Sequence, residues 1–392
     1  MNYPLASDSW DEEEVAAIQA VIASGRYTYG PRIEAFEAAF AERFGSRHAV
    51  MVNSGSSANL AAVAALCFKK ERPLERGDEV IVPAISWSTT YFPLQQYGLK
   101  LKFVDVDPET LNMDMAQLEA ALSDKTRMVV AVSILGNPCE LDKMRALCDA
   151  RGIYLFEDNC ESMGATLNGK ECGTFGEVGT FSFFFSHHIS TIEGGMVLTD
   201  DLELCHLMKA IRSHGWTRGL PKDSPIFESR GDDFFEAYRF IVPGYNLRST
   251  EINAAIGLAQ LKKLDKMLEV RRANAHHFQE TVAKLPGLIT PRENGCSSWF
   301  SFPMILKPEL EIERQTVLEA LKAADIEHRI ITGGNFLRHD AIKFFDYTCH
   351  GEMHNANLAH DRGFFVGNSP TDLRPQLDNL HQVLSQVLGV SQ

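Results

Sequence analysis

Met128 to Glu161 reads MVVAVSILGNPCELDKMRALCDARGIYLFEDNCE: an apolar run, a helical stretch, and a second apolar run that ends in paired acids. The two runs, Met128 to Ile134 and Ile153 to Glu157, are short and bounded by Gly or Pro, which predicts strands buried on both faces. Between them, Leu141 to Ala150 carries apolar residues at helical spacing. Parallel strands need such a crossover, so the segment predicts one β-α-β unit of a doubly wound sheet. Working outward, Glu79 to Val82, Leu101 to Val106, Val178 to Phe184 and Met196 to Thr199 read as further strands, and Met115 to Leu122 as another helix. The fold class is therefore α/β with a mostly parallel central sheet.

Toward the N-terminus, Ser9-Trp10-Asp11-Glu12 has capping-box spacing, and Val15, Ile18 and Ile22 follow at helical intervals until Gly25. A first helix is expected there. From Ser249 onward, Ile252, Ile256 and Ala259 begin a long helical stretch that leads away from the sheet. A chain of 392 residues exceeds the size at which one core stops growing. A large α/β domain over residues 1–248 and a smaller C-terminal α+β domain over 249–392 are the expected division.

Composition narrows the function classes. With 45% apolar and 23% charged residues the chain has the balance of an ordinary globular protein. A net charge of -14 argues against a nucleic-acid partner, although local Arg residues and helix N-termini can still hold a small anion. No apolar run reaches the roughly 20 residues that span a bilayer. The eight cysteines are scattered without a C-x-x-C pair, and Met1 to Trp10 does not read as a secretory signal, so reduced thiols in a cytoplasm are expected. No metal site is expected.

Three motifs carry chemistry. Asn53-Ser54-Gly55-Ser56-Ser57-Ala58-Asn59 follows the short strand Ala49 to Val52 and opens a helix running to about Cys67. Free amides at such a helix start attract a phosphate, and small residues let its oxygens approach; alone, the motif is also an ordinary Ser-capped turn. Glu157-Asp158-Asn159-Cys160-Glu161 places Asp158 at the carboxyl end of a central strand, where open sheets bind ligands. An acid there can pair with a protonated ring nitrogen, or serve merely as a helix N-cap. The third runs Thr180-Phe181-Ser182-Phe183-Phe184-Phe185-Ser186-His187-His188-Ile189-Ser190-Thr191-Ile192-Glu193-Gly194-Gly195-Met196 and reads as two strands around a functional loop.

A segment of the form T-F-S-F, two residues, N/S-K, a short loop and E-G-G resembles the cofactor-attachment segment of the DegT/DnrJ/EryC1/StrS family of sugar aminotransferases. The family's lysine falls on His187. The similarity extends through the Gly30-Pro31 region, the Asn53 to Asn59 turn, Glu157 to Ala165 and Gly244-Tyr245-Asn246-Leu247-Arg248. It implies a type I, aspartate-aminotransferase-like fold, pyridoxal phosphate or pyridoxamine phosphate as cofactor, and a homodimer with shared active sites. By that resemblance Gly55, Ser56, Ser57 and Ser182 hold the phosphate, Asn246 reaches it from the other subunit, and Asp158 pairs with the ring nitrogen.

Two positions depart from the pattern: His187 stands for the lysine, and Glu161 for a Gln near the cofactor hydroxyl. Both departures occur in a branch whose S-H-H-I-S, H-G-W-T-R and P-G-Y-N segments resemble Ser186 to Ser190, His214 to Arg218 and Pro243 to Asn246. That branch removes the C3 hydroxyl of a GDP-linked 4-keto-6-deoxyhexose with L-glutamate as amino donor. Trp87, in Pro83-Ala84-Ile85-Ser86-Trp87-Ser88, falls where an aromatic ring stacks on the cofactor; without the resemblance it reads as core.

Lysine both tethers the cofactor and moves protons, whereas imidazole can do only the second. Dehydration is therefore expected in place of transamination. Arg26, Arg218, Arg248 and Arg329 are candidates for diphosphate or carboxylate recognition, since Arg binds both in bidentate fashion. A related branch carries an iron-sulfur cluster on clustered cysteines, but no cysteine lies between Cys205 and Cys296, so none is expected here. Two rival readings are an aminotransferase using Lys170 of the Asn168-Gly169-Lys170 turn and a non-catalytic cofactor-binding sensor.

Overall fold

The computed structural model describes residues 2–390. The strands in chain order are β1 (His48–Val52), β2 (Glu79–Pro83), β3 (Lys100–Val104), β4 (Thr126–Val132), β5 (Tyr154–Asp158), β6 (Thr166–Leu167), β7 (Lys170–Glu171), β8 (Val178–Ser182), β9 (Gly195–Thr199), β10 (Leu288–Ile289), β11 (Ser301–Leu306), β12 (His328–Arg329), β13 (Tyr347–Cys349) and β14 (Gly363–Gly367). Eight of them form the central sheet, in the order β1-β9-β8-β5-β4-β2-β3-β13. From β8 to β13 every neighbouring pair is parallel; β9 alone runs antiparallel, to both β1 and β8. Strands β5 and β8 are buried at every position, as strands covered on both faces must be, and so is the antiparallel β9 beside them.

Helix α3 (Gly55–Phe68) is apolar nearly all round, with Ala58, Ala61, Ala62, Ala64 and Ala65 buried. Small side chains let it lie close over β8 and β9 while a further helix, Leu202–Ile211, covers its other side. The Glu251–Glu280 helix, about 45 Å long at 1.5 Å per residue, starts at Thr250, whose hydroxyl caps the Asn253 amide. It packs along α1 (Glu12–Ser24) and α2 (Pro31–Phe44).

The cap of α1 differs from the Ser9-Glu12 spacing. Asp11 is the capping residue and Glu14 closes the box, its Oε2 accepting from the Asp11 amide at 2.8 Å. Glu14 is chosen because Lys263 of the long helix, 2.8 Å from both its oxygens, and Gln260 hold it in the interior. Consequently Val15 and Ile22 lie outward, 49% and 55% exposed.

A second, wholly antiparallel sheet of order β10-β11-β14-β12 has its own core around Phe278, Trp299, Phe302, Phe364 and Leu377. The segment after residue 249 does not stay with that sheet. Strand β13 returns to the edge of the central sheet and pairs in parallel with β3, Thr348 beside Lys102.

Candidate active site

The carboxyl ends of β4, β5 and β8 lie side by side, with Val132, Asp158 and Thr180 in register. Asp158 is buried and no helix follows it, so the N-cap alternative fails. Its Oδ2 accepts from Asn59 Nδ2 at 2.8 Å and from Thr90 Oγ1 at 2.7 Å, while Oδ1 accepts from the Cys160 amide at 3.2 Å. Asn59 is fixed in turn, its Oδ1 accepting from Thr180 Oγ1 at 2.6 Å. A carboxylate with this many donors is held in one orientation at the sheet edge. The neighbouring Glu157 points to the other face, where three amides, of Gly173, Phe175 and Gly176, donate to it at 2.6–2.7 Å. Of two adjacent acids, one secures a turn and one faces the site, as period-two alternation requires.

Helix α3 begins beside Asp158. A side chain at Gly55 would put its Cβ 2.6 Å from Ser182 Cβ, so only glycine lets the helix start meet the end of β8. Ser54 Oγ accepts from the Ser57 amide, Ser57 Oγ donates to Asn53, and Ser56 Oγ donates to Thr89. The first amides of a helix have no acceptor of their own, so this concave start suits a phosphate. Gly195, whose Cβ would lie 2.2 Å from Ser54 O, brings the Glu193-Gly194-Gly195 turn against the same spot.

Trp87 precedes α4 (Ser88–Gln96) and is 60% exposed, not core. Its carbonyl accepts from the Thr90 amide, and Thr90 is the residue that holds Asp158. One helical turn therefore presents an open indole and the hydroxyl that orients the acid. This is a platform for a flat ring. The residues fit a cofactor that is aromatic at one end and a phosphate ester at the other.

His187 enters from the β8–β9 loop. Its amide donates to Phe184 O at 2.9 Å, and its ring meets that of Phe300 edge-on, centroids 5.2 Å apart. Nδ1 is buried without a partner. Burial, with the charge of Arg271 adding, pushes the imidazole down to about 4 from its ordinary 6.5. His188 is buried outright and its Nε2 lies 3.2 Å from Ser298 O, a packing role. Glu161 Oε2 accepts from the Leu135 amide at 2.9 Å and the Thr332 hydroxyl at 3.3 Å. Burial, more than the nearby charge of Asp158, raises its carboxyl to about 7.

Sequence reasoning missed the supporting groups: Thr90, Leu135, Arg271, Phe300 and Thr332. Asn59 stood inside the quoted turn, but nothing local marked its bond to Asp158. Arg26, Arg218, Arg248 and Arg329 are spread over separate elements, and among the described residues none pairs with a carboxylate. Arg218 stacks on Trp216 with its guanidinium 5.0 Å from the ring centroid, and Arg248 Nε donates to Asn246 Oδ1 at 3.1 Å. Asn246 itself is exposed. Lys170 lies on the exposed β6–β7 hairpin with its Nζ 4.6 Å from the Phe175 ring centre, and so does not take the place of the missing lysine. Among the described residues no three His, Cys, Asp or Glu side chains gather as for a metal ion, and no helix is long and apolar enough to cross a membrane.

A parallel-rich central sheet with a phosphate-ready helix start and an acid at the strand end is the architecture of vitamin B6 aminotransferases. The DegT/DnrJ/EryC1/StrS aminotransferase family profile matches residues 8–374, and the chain belongs to that family. It is 50% identical over 388 residues to the GDP-4-keto-6-deoxy-D-mannose 3-dehydratase of Yersinia pseudotuberculosis, covering 98% of this chain and 99% of the relative. Two solved structures of GDP-4-keto-6-deoxymannose-3-dehydratase match with a TM-score of 0.96 at 49% identity, over 98% of this chain and 100% of theirs. One is a histidine-to-asparagine mutant with bound GDP-perosamine; the other holds a trapped PLP-glutamate geminal diamine.

Proposed function

We propose that this protein is a pyridoxal phosphate-dependent 3-dehydratase that removes the C3 hydroxyl of GDP-4-keto-6-deoxy-D-mannose. L-Glutamate is the amino donor, and the product is a 3,6-dideoxy-4-keto sugar for surface polysaccharide, made in the cytoplasm. The observation that carries this reading is His187: a histidine stands at the position in the β8–β9 loop where the family has its lysine. The 50% identity to a 3-dehydratase over nearly the whole chain supports it.

Gly55, Ser56, Ser57 and Ser182 hold the cofactor phosphate, Asp158 the ring nitrogen, Trp87 the ring face, and Glu161 the ring hydroxyl. When bound, pyridoxal phosphate supplies an electron sink and, after reaction with glutamate, an amino group. Asp158, fixed by Asn59 and Thr90, keeps its negative charge aimed at one point. His187 does the proton work. Held neutral, it accepts a proton around neutral pH. The imidazolium so formed sits in a site that disfavours its charge, which makes it a strong acid for the departing C3 hydroxyl. Without a lysine amine there is no covalent tether, and stacking on Trp87 substitutes for it.

Arg26, Arg218, Arg248 and Arg329, free of carboxylates, take the diphosphate and the glutamate carboxylate. A homodimer completes the site: Asn246 and the aromatic Phe184 and Phe185 are exposed in the single chain, as interface residues must be. The test is incubation with pyridoxal phosphate, glutamate and GDP-4-keto-6-deoxymannose. Equal amounts of 2-oxoglutarate and ammonia are expected, with a sugar product lighter by one oxygen atom. A 4-amino sugar, or a borohydride-trapped cofactor on any lysine of the resting enzyme, overturns the proposal.

A further inference from the structure

Behind the imidazole lies a charged group that the mechanism above does not use. Arg271, on the Glu251–Glu280 helix, is buried and makes no ion pair with any described residue. Its Nη1 donates to Asn368 O at 2.7 Å and to Phe300 O at 3.3 Å, while Nε is buried without a partner. A buried guanidinium bound only to carbonyls is costly, and proteins usually pair it.

Its position suggests why it is kept. Phe300 is the residue whose ring meets His187 at 5.2 Å and His188 at 5.7 Å. The Phe300 amide donates to Leu135 O at 2.9 Å, and the Leu135 amide holds Glu161. Trp299, with φ 45°, and Leu135, with φ 50°, are both non-glycine residues in the left-handed region. Asn368 Nδ2 donates to Trp299 O at 2.8 Å and to Arg271 O at 3.1 Å, so the side chain ties the strained turn to the helix. The segment Ser298 to Phe300 is thus stretched between Arg271 on one side and the Leu135–Glu161 pair on the other. Strain of this kind persists only where the surroundings over-determine it.

We infer that Arg271 is a positioning residue for His187: through the Phe300 carbonyl it seats the ring that His187 leans on, with its own charge left unpaired behind the imidazole. The inference rests on His187 being the base. The other charged or titratable groups acting on the histidine pair are His187 on its neighbour His188 and Arg272 on the long helix. Neither Arg has a carboxylate between itself and the imidazoles that would cancel its field.

The experiment uses the cofactor-loaded enzyme, with carbon-13 histidine NMR to follow the His187 midpoint and kcat/KM followed from about pH 3 upward to neutrality, a range that brackets an imidazole lowered to about 4. Arg271→Met removes the charge; the His187 midpoint and the acidic limb of kcat/KM are expected to move up by roughly one unit. Arg271→Lys keeps the charge and loses the fork; kcat is expected to fall several-fold at every pH with the limb in place. Phe300→Leu, which retains Arg271, is expected to lower kcat with KM unchanged, and decides the positioning role if Arg271→Met does not fold. A folded Arg271→Met with an unmoved midpoint, or Phe300→Leu with the parental kcat, overturns the inference. Either result leaves the dehydratase reading intact, which fails instead if His187→Asn still turns over.

Discussion

The two walls of the cleft are built on opposite principles. The Asp158 wall uses ends of regular elements, and its polar atoms are paired: Asp158 to Asn59, Thr90 and the Cys160 amide, Asn59 to Thr180, Ser57 to Asn53. The His187 wall is loop backed by the Glu251–Glu280 helix, and polar atoms there are orphaned: Nδ1 of His187 and of His188, Ser298 Oγ and Arg271 Nε are all buried without partners. Unpaired buried groups destabilise a fold, and they collect where function demands them. One wall is locked by its own hydrogen bonds; the other leaves an imidazole buried and neutral among unpaired atoms. Paired and unpaired polar atoms are thus carried by separate segments of chain.

The sharpest way to break the comparison is His187→Asn, which leaves the rigid wall untouched. Ammonia release from glutamate and the 4-keto sugar should fall by about 100-fold or more, the range general acid–base groups contribute. Cofactor retention, measured by absorbance after gel filtration, should change little. Gly55→Ala attacks the other wall. Its new Cβ meets Ser182 Cβ at 2.6 Å, and overpacking of that kind costs about 1–3 kcal/mol. Lower thermal stability together with weaker pyridoxal phosphate binding is expected, and unaltered binding would show that the helix start is not the phosphate cradle.

Glu161 bridges the walls, and its pH behaviour separates them. Its carboxyl rises from 4.5 to about 7 on folding, so its contribution is fully present below pH 4.5 and is lost as pH climbs through 7. His187 is the reverse, lowered from 6.5 to about 4, so stability is lost as pH falls through that window. Chemical denaturation of Glu161→Gln at pH 5 and pH 8 should therefore show a gain over the parent that is greater at pH 8. An equal effect at both values would place Glu161 in contact with water. The smallest effect is on stability in Trp87→Ala. An indole 60% exposed should change unfolding by less than about 0.5 kcal/mol, yet cofactor affinity should drop, as read by titration of the absorbance.

Much of the rigid wall was legible because its parts are local. Asp158 ends an apolar run, Gly55 and its serines follow one, and Ser182 closes another; strand period and turn chemistry are written in consecutive residues. The resemblance of Thr180 to Met196 to the family's motif then assigned the lysine position to His187. Trp87 was ambiguous by pattern alone, since a Trp after an apolar strand reads as core. It stands instead as the N-cap of α4 and lies open. The α1 cap was misjudged by two residues for a similar reason: Lys263 and Gln260, some 250 positions away in sequence, decide which Glu is buried.

Local spacing was enough to read the parallel sheet, the acid at the end of β5, the small-residue helix start and the exchange of lysine for histidine. Each depends on residues near one another in the chain, where spacing maps directly onto geometry. Packing between distant elements put Thr332, 171 residues beyond Glu161, on its carboxyl and returned β13 to the central sheet. It also decided that Arg271 would stand uncompensated behind the imidazole. These are long-range pairings between elements, chosen by how whole surfaces pack, and no local period records them.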